Sequence, residues 1–449
     1  MPVEAVALKL ANANPCYCLA TLYGEQEGDE FDVALAHKNR NTWNRWFGDC
    51  TEGQREDIRK TFSLRMDGQL PPDPTEQIDF SNTHFTKRLH LAGFEFRRYA
   101  NFRSSTFSDV VDFGAAQIGE ADFRASSFEA GVNFQSAVFA ERVGFESASF
   151  QQATSFNGVT FSSRADFSAA RFRARAYFKQ SRFFKIASFR SVQFEGDANF
   201  ESAEFLGWAI FQKAAFVGAT NFGATTFSKG AEFDDAEFLS TINFINAKFT
   251  IKTTFAGAHF KNSVPDFRGT TLHEATEWHG VVWPQPPLTK RSAQQQVYAY
   301  ERLKQEMERL KKHEDEQSLF RKELRARRGL MRLFSGGWLL NLAYQWSSDY
   351  GNSFSRPVIW LCAVAAAGTA AFTRLPLCAG LPMPLKLAIR LSFANIFVFL
   401  PDKREIATTQ EMSACLSNTT AAISAIQSLL GVILLFLLGL ALRNRFRMK

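Results

Sequence analysis

The stretch ATNFGATTFSKGAEFDDAEF, Ala219–Phe238, places Phe222, Phe227, Phe233 and Phe238 at steps of five, six and five residues. Eleven residues come close to three helical turns, about 10.8 residues. The second Phe of each pair rules the helix out, because five residues rotate about 140° and carry it to the far side. A continuous strand fails as well, since any odd step turns the side chain to the other face. The spacing predicts a chain that turns a corner every five or six residues and points one Phe inward from each short face.

Outward from this stretch the same register holds without a slip. Phe128, Phe134, Phe139, Phe145, Phe150, Phe156, Phe161, Phe167, Phe172, Phe178, Phe183, Phe189, Phe194, Phe200, Phe205, Phe211 and Phe216 lead into the opening four. Phe244, Phe249, Phe255 and Phe260 follow them. Weaker members extend it back through Phe123, Ile118, Phe113, Phe107, Phe102, Phe96, Leu91, Phe85 and Phe80, and it ends near Phe267 and Leu272 after Pro265. The residue two before each Phe is small or β-branched, as at Ala165, Ala170, Ser181, Val192, Ala203 and Thr225. Pairing large with small lets stacked coils fill a narrow interior. Gly158, Gly196, Gly207 and Gly218 fall at corners, where tight turns call for glycine.

The units ADFSAARFRARAYF (Ala165–Phe178) and AEFDDAEFLSTINF (Ala231–Phe244) resemble the pentapeptide-repeat family in its phenylalanine-centred form, A-x-F-x-x-A-x-F. The resemblance covers about Phe80–Leu272 and implies a mainly β solenoid, a right-handed four-sided parallel β-helix. The five/six alternation implies about 22 residues per coil where strict pentapeptides take twenty. About nine coils at roughly 4.8 Å make a rod. Some relatives mimic DNA with an acidic rod, but here acidic and basic stretches nearly balance. A partner-binding face and a plain spacer are both open readings of the rod's surface.

The net charge of +7 comes from two clusters, RKELRARRGLMR (Arg321–Arg332) and RNRFRMK (Arg443–Lys449), and the remainder is slightly acidic. A nucleic-acid partner is therefore not expected. Residues 1–79 read as a helical cap with aromatic anchors Trp43 and Trp46, since a solenoid end needs closing. Residues 273–328 read as an exit turn and an α-hairpin, with Val297, Tyr300, Leu303, Met307 and Leu310 on one face. Residues 329–356, with Trp338, Tyr344 and Trp346, suit a helix at the headgroup level.

Residues 357–449 read as a membrane domain. The segments 357–374 and 419–442 are spans by length, and 384–401 between them is too short and carries Lys386 and Arg390. Basic clusters before the first span and after the second put both on the cytoplasmic side, so the middle segment re-enters. Such a segment must be lined by protein or water, which predicts a homo-oligomer in the inner (cytoplasmic) membrane, in contact with lipid, its N-terminal domains and C-terminus cytoplasmic.

Span, re-entrant helix, span, with YGNSFSRPVIWL (Tyr350–Leu361) and QSLLGVILLFLLGLALRNRFRMK (Gln427–Lys449), resembles bacterial pentapeptide-repeat proteins that end in a two-helix ion-channel pore. That resemblance implies Ser392, Asn395 and Asp402 as pore-lining residues. SFANIFVFLPD (Ser392–Asp402) holds no glycine, so a potassium-type filter is not expected. Cys378 and Cys415 both fall outside the membrane in this topology, where a disulfide between them is permitted.

Seven scattered His and six Cys show no metal spacing, and no nucleophile, cofactor or phosphate-binding motif occurs. No catalytic residue, cofactor or metal is expected, and enzyme is not the reading. Two functions are carried forward. The first is an oligomeric channel-like pore with a cytoplasmic β-helical domain that senses a protein or small ligand. The alternative is a membrane-tethered interaction scaffold without conduction.

Overall fold

A computed structural model describes residues 8–27, 31–287, 289–375, 383–398 and 418–447. The chain forms two compact units, Met1–Gln285 and Pro286–Lys449.

The first unit is a parallel β-solenoid of about eight turns with about 22 residues per coil. Its strands are two residues long, three at Thr83–Phe85, and stack, among the described residues, into four parallel sheets of ten, nine, eight and eight strands. The register is one coil: Phe128 opposes Phe150, and Phe150 opposes Phe172. All 25 ladder Phe from Phe128 to Phe260 are at most 1% exposed, and so are most of the small residues paired with them. Each Phe lies nearly parallel on its counterpart one coil on, as in Phe167–Phe189 (4.9 Å, 0°) and Phe189–Phe211 (4.9 Å, 5°). Across the interior, rings of neighbouring faces meet edge to face, as in Phe178–Phe189 (5.5 Å, 90°). Offset-stacked and edge-to-face contacts are the two arrangements favoured by the ring quadrupole, and this cross-section makes both at every level.

The five-residue steps and the six-residue steps are different corners. After Phe167 the chain makes a tight turn in which Ala170 N donates to Phe167 O (3.0 Å), and Ala169 takes φ 58°. The same left-handed seat recurs at Ser104, Ala115, Ser136, Ser147, Gln180, Ser202, Lys213, Ala224, Asp235 and Asn246. Glycine holds it at Gly158 (φ 65°). Gly196, Gly207 and Gly218, expected for turn conformation, instead sit at the wide corners without a positive φ. A β-carbon at Gly196 or Gly218 would come within 2.4 Å of the preceding coil's backbone, and at Gly207 within 2.1 Å. Close approach between coils selects these three. The left-handed alanines carry a cost that glycine avoids, about 1–2 kcal/mol, partly offset by glycine's greater chain entropy. Ala224→Gly should therefore raise stability by about 0.5–1 kcal/mol, read as a later denaturant midpoint; an earlier midpoint would contradict this account of the turn.

Both ends are closed. Helices α1 (Pro15–Ala20), α2 (Val33–Phe47) and α3 (Glu52–Arg65) precede the coil, each started by a side-chain cap: Asn14, Asp32 and Thr51. Trp43 on α2 is fully buried against Phe80, Phe94 and Phe96 and donates to Glu95 O (3.1 Å). Asn44 pairs with Gly93 O and Glu95 N, so α2 satisfies backbone groups that the first coil leaves open. Lys9–Leu10 adds a strand beside Thr83–His84. At the far end parallel bridges continue past Leu272 to Val282. Trp278 stacks on Phe255 (4.5 Å, 7°) and Trp283 packs on Phe260 (5.5 Å), so two tryptophans take ladder positions once the five/six alternation resumes.

In the second unit α4 (Lys290–Arg309) and α5 (His313–Arg328) form the hairpin. Val297, Tyr300, Leu303 and Met307 are buried in it. Helices α6 (Gly336–Ser348), α7 (Ser355–Arg374), α8 (Leu385–Ile396) and α9 (Asn418–Arg447) follow. By length and composition α7 and α9 are candidate membrane spans.

Candidate functional site

Helix α8 is short because Pro384 precedes it and Phe397 ends it in a non-helical conformation. It packs on both α7 and α9. Phe372 of α7 meets Ala388, Leu391 and Ala394 of α8, while Leu361 of α7, Ile396 of α8 and Leu434 of α9 form a second apolar cluster. Two glycines set the spacing. A β-carbon at Gly431 would lie 2.8 Å from the Ile396 backbone, and one at Gly368 would lie 2.2 Å from Gln427 Nε2. Small residues at such contacts let helices approach closely where lipid offers no hydrophobic drive.

Two polar side chains of α8 turn into this three-helix contact. Ser392 and Asn395 are each 1% exposed. Ser392 Oγ donates to Ala365 O (2.8 Å), and Asn395 Nδ2 donates to Gln427 Oε1 (3.2 Å). Gln427 Nε2 in turn donates to Val364 O (3.2 Å) and to Ser392 Oγ. The structure thus brings Ser392 and Asn395 together with a partner that sequence reasoning did not single out. Gln427 was legible in principle as the one amide in an apolar run of span length, where polar groups are costly unless paired. Asp402, Cys378 and Cys415 lie outside the described residues.

The basic cluster ahead of the first span is largely committed to internal bonds. Arg321 and Arg325 reach Asp349 at 2.8 and 3.0 Å, Arg327 reaches Glu323 at 2.7 Å, and Arg328 donates to Gln345 (2.6 Å). Burial resists ionisation of Asp349, but the hydrogen bonds and charges of Arg321 and Arg325 outweigh it and hold its carboxyl below the usual range. Burial, Arg321 and Arg325 push Lys322 down to about 8. Asp349 also ends α6 in the left-handed conformation, so the pair fixes the α5–α6 junction just ahead of α7. Because the folded carboxyl titrates lower than the unfolded one, its contribution is full above about pH 4 and fades as pH falls through the folded value. Hydrogen exchange across α6, measured from pH 6 to pH 3, should rise on acidification beyond the intrinsic rate change. Asp349→Asn should flatten that dependence and cost about 1–2 kcal/mol, between the exposed and buried limits for ion pairs.

On the solenoid the exterior charges pair along the rod. Arg171–Glu195, Lys179–Glu201 and Arg182–Glu204 each join residues one coil apart or nearly so. Exposed as they are, these pairs neutralise the surface more than they stabilise it. Cys16 and Cys18 are buried in the cap; burial raises both thiols, Cys16 to about 12. Among the described residues no group of His, Cys, Asp or Glu could hold a metal ion.

A family model described as pentapeptide repeats (9 copies) matches residues 145–193 and 178–226. The coil is built of pentapeptide repeats. The matched residues lie wholly within the pentapeptide-repeat solenoid and do not reach the membrane-end helices. No curated protein and no solved structure matches the chain significantly.

Proposed function

We propose that this chain is a membrane-tethered interaction scaffold: α7 and α9 anchor it, and the pentapeptide-repeat solenoid presents a surface to a partner on the cytoplasmic side. The observation that favours the scaffold over a pore is the hydrogen bonding of Ser392 and Asn395. Both are spent on Gln427 and the α7 backbone, and the other residues from Leu391 to Val398 are apolar. A conducting path needs polar atoms facing water, and here they fasten a short helix between two spans. The anchor acts as a homo-oligomer in this reading, because Leu385, Ile389 and Phe393 of α8 stay exposed and call for cover from lipid or a second copy.

The test is conductance of the purified full chain in a planar bilayer, with insertion verified by protease protection. The scaffold reading expects a silent bilayer for the native chain and for Asn395→Trp alike. Discrete currents that Asn395→Trp abolishes would replace it with the pore.

A further inference from the structure

One corner of the solenoid departs from the pattern of self-paired charge. The wide corners that follow Phe183, Phe205 and Phe227 lie one above another on consecutive coils. They present Phe184-Lys185-Ile186, Leu206-Gly207-Trp208 and Ser228-Lys229-Gly230. Phe184 is 44% exposed, Ile186 38% and Trp208 43%, on a rod whose other large apolar residues are mostly interior. Together with Arg164 they line a groove of about 410 Å³, within the size range of small-ligand and side-chain pockets.

The corner is shaped around the indole. A β-carbon at Gly230 would come within 1.9 Å of the Trp208 ring, so the next coil leaves that space to Trp208. At Gly207 a β-carbon would meet the Lys185 backbone at 2.1 Å, so the middle coil draws in against its neighbour. The groove is also cationic. Arg164 is held by Asp166 (2.6 Å), but among the described residues Lys185 and Lys229 take part in no ion pair. Rings one coil apart here are spaced 4.7 and 5.1 Å. Lys185 and Lys229, two coils apart, therefore lie roughly 10 Å from one another along the axis, with Trp208 between them. An extended peptide rises about 3.3 Å per residue and alternates its side chains, so carboxylates four residues apart share a face at about 13 Å, a span that two flexible lysine side chains can reach.

We infer that this corner binds an extended acidic peptide segment of a protein partner, with carboxylates at i and i+4 meeting Lys185 and Lys229 and an apolar side chain at i+2 resting on Trp208. Charge complementarity and the groove's concavity select this occupant. The inference rests on the scaffold reading and names the chemistry of its partner. A buried aromatic anchor ringed by polar contacts is the usual centre of such an interface, and the unpaired lysines supply steering and register.

The experiment is an anisotropy titration of the full chain in detergent micelles. The probe is a labelled peptide with glutamates four residues apart and a phenylalanine midway between them. Binding should weaken about tenfold or more when the peptide's Phe becomes Ser or its Glu become Lys. Trp208→Ala should weaken it by about as much, as should Lys185→Gln with Lys229→Gln, a surface change that leaves the core intact. Gly230→Val, which takes the space of the indole, should weaken it too. Equal binding of the three peptides, or binding indifferent to Trp208 and both lysines, overturns the inference. So does tryptophan quenching by brominated anionic lipid in nanodiscs that disappears in Trp208→Phe, because the corner would then lie on a membrane. Loss of peptide binding alongside a silent bilayer overturns the partner chemistry alone; currents in the bilayer overturn the scaffold beneath it.

Discussion

Phe189→Ala should cost about 3–5 kcal/mol, the upper range for large-to-small changes in a core. Phe189 is fully buried, stacked between Phe167 and Phe211 at 4.9 Å on either side and met edge-on by Phe178 and Phe200 at 5.5 Å. The cost depends on how far the surroundings can collapse, and here they cannot. Backbone bonds between coils, such as Phe189 N to Ile210 O (2.7 Å) and Phe167 N to Ser188 O (2.7 Å), hold the rings above and below at their spacing. The hole therefore persists. In a stacked repeat, stability is close to a sum of each unit and its interfaces with the next, so the loss should be local before it is global. Hydrogen exchange should rise sharply over the coils holding residues 167–211 while the α2 contact with Gly93 and Glu95 stays protected. Uniform loosening along the rod, or none, would count against this account. Phe189→Leu should recover a large part of the loss.

Gly431→Leu should loosen the membrane unit by about 2–3 kcal/mol, at the upper end for overpacking. The obstacle is backbone: a β-carbon at 431 would lie 2.8 Å from Ile396 Cα and O, and neither can swing aside as a side-chain tip can. Helix α8 must move away from α9, which stretches the Asn395–Gln427 bond and takes Ser392 with it. Hydrogen bonds in membranes are worth about 0.6 kcal/mol on average and no more than about 2, so most of the effect comes from lost packing. Gln427→Leu, which removes the hydrogen bonds and keeps the approach, should accordingly cost less. Thermal unfolding in detergent, followed through α8 protection, separates the two. A Gln427→Leu effect larger than that of Gly431→Leu would mean that the polar cluster, and not close helix contact, holds α8 in place.

Much of the solenoid could be read before any coordinates. A period of eleven split into five and six admits neither helix nor strand, and the small residue two before each Phe marks the second inward seat. Both conclusions rest on local geometry, and local geometry repeats with the sequence. The reading faltered where the repeated letter changed. Trp278 and Trp283 sit on Phe255 and Phe260 as ladder members, but an aromatic other than Phe after a seven-residue step looks like the start of a linker. Glycine misled in another way. A corner glycine suggests a turn requirement, but the left-handed seats hold mostly Ala, Ser and Asn, and three corner glycines answer to the neighbouring coil.

At the membrane end, length and hydropathy sufficed to mark two spans and a short helix between them, because the thickness of a bilayer acts on one segment at a time. Which atoms Ser392 and Asn395 would meet was another matter. Their partner Gln427 is more than thirty residues away, and the pairing exists only because Gly368 and Gly431 let α7 and α9 close on α8. The corner around Trp208 has the same character: Phe184, Trp208 and Lys229 are strangers in sequence that a 22-residue coil sets side by side. Periodic, local constraints could thus be worked out from the order of residues alone. Contacts between distant residues, which decide what the two ends can do, depended on how closely the backbones pack.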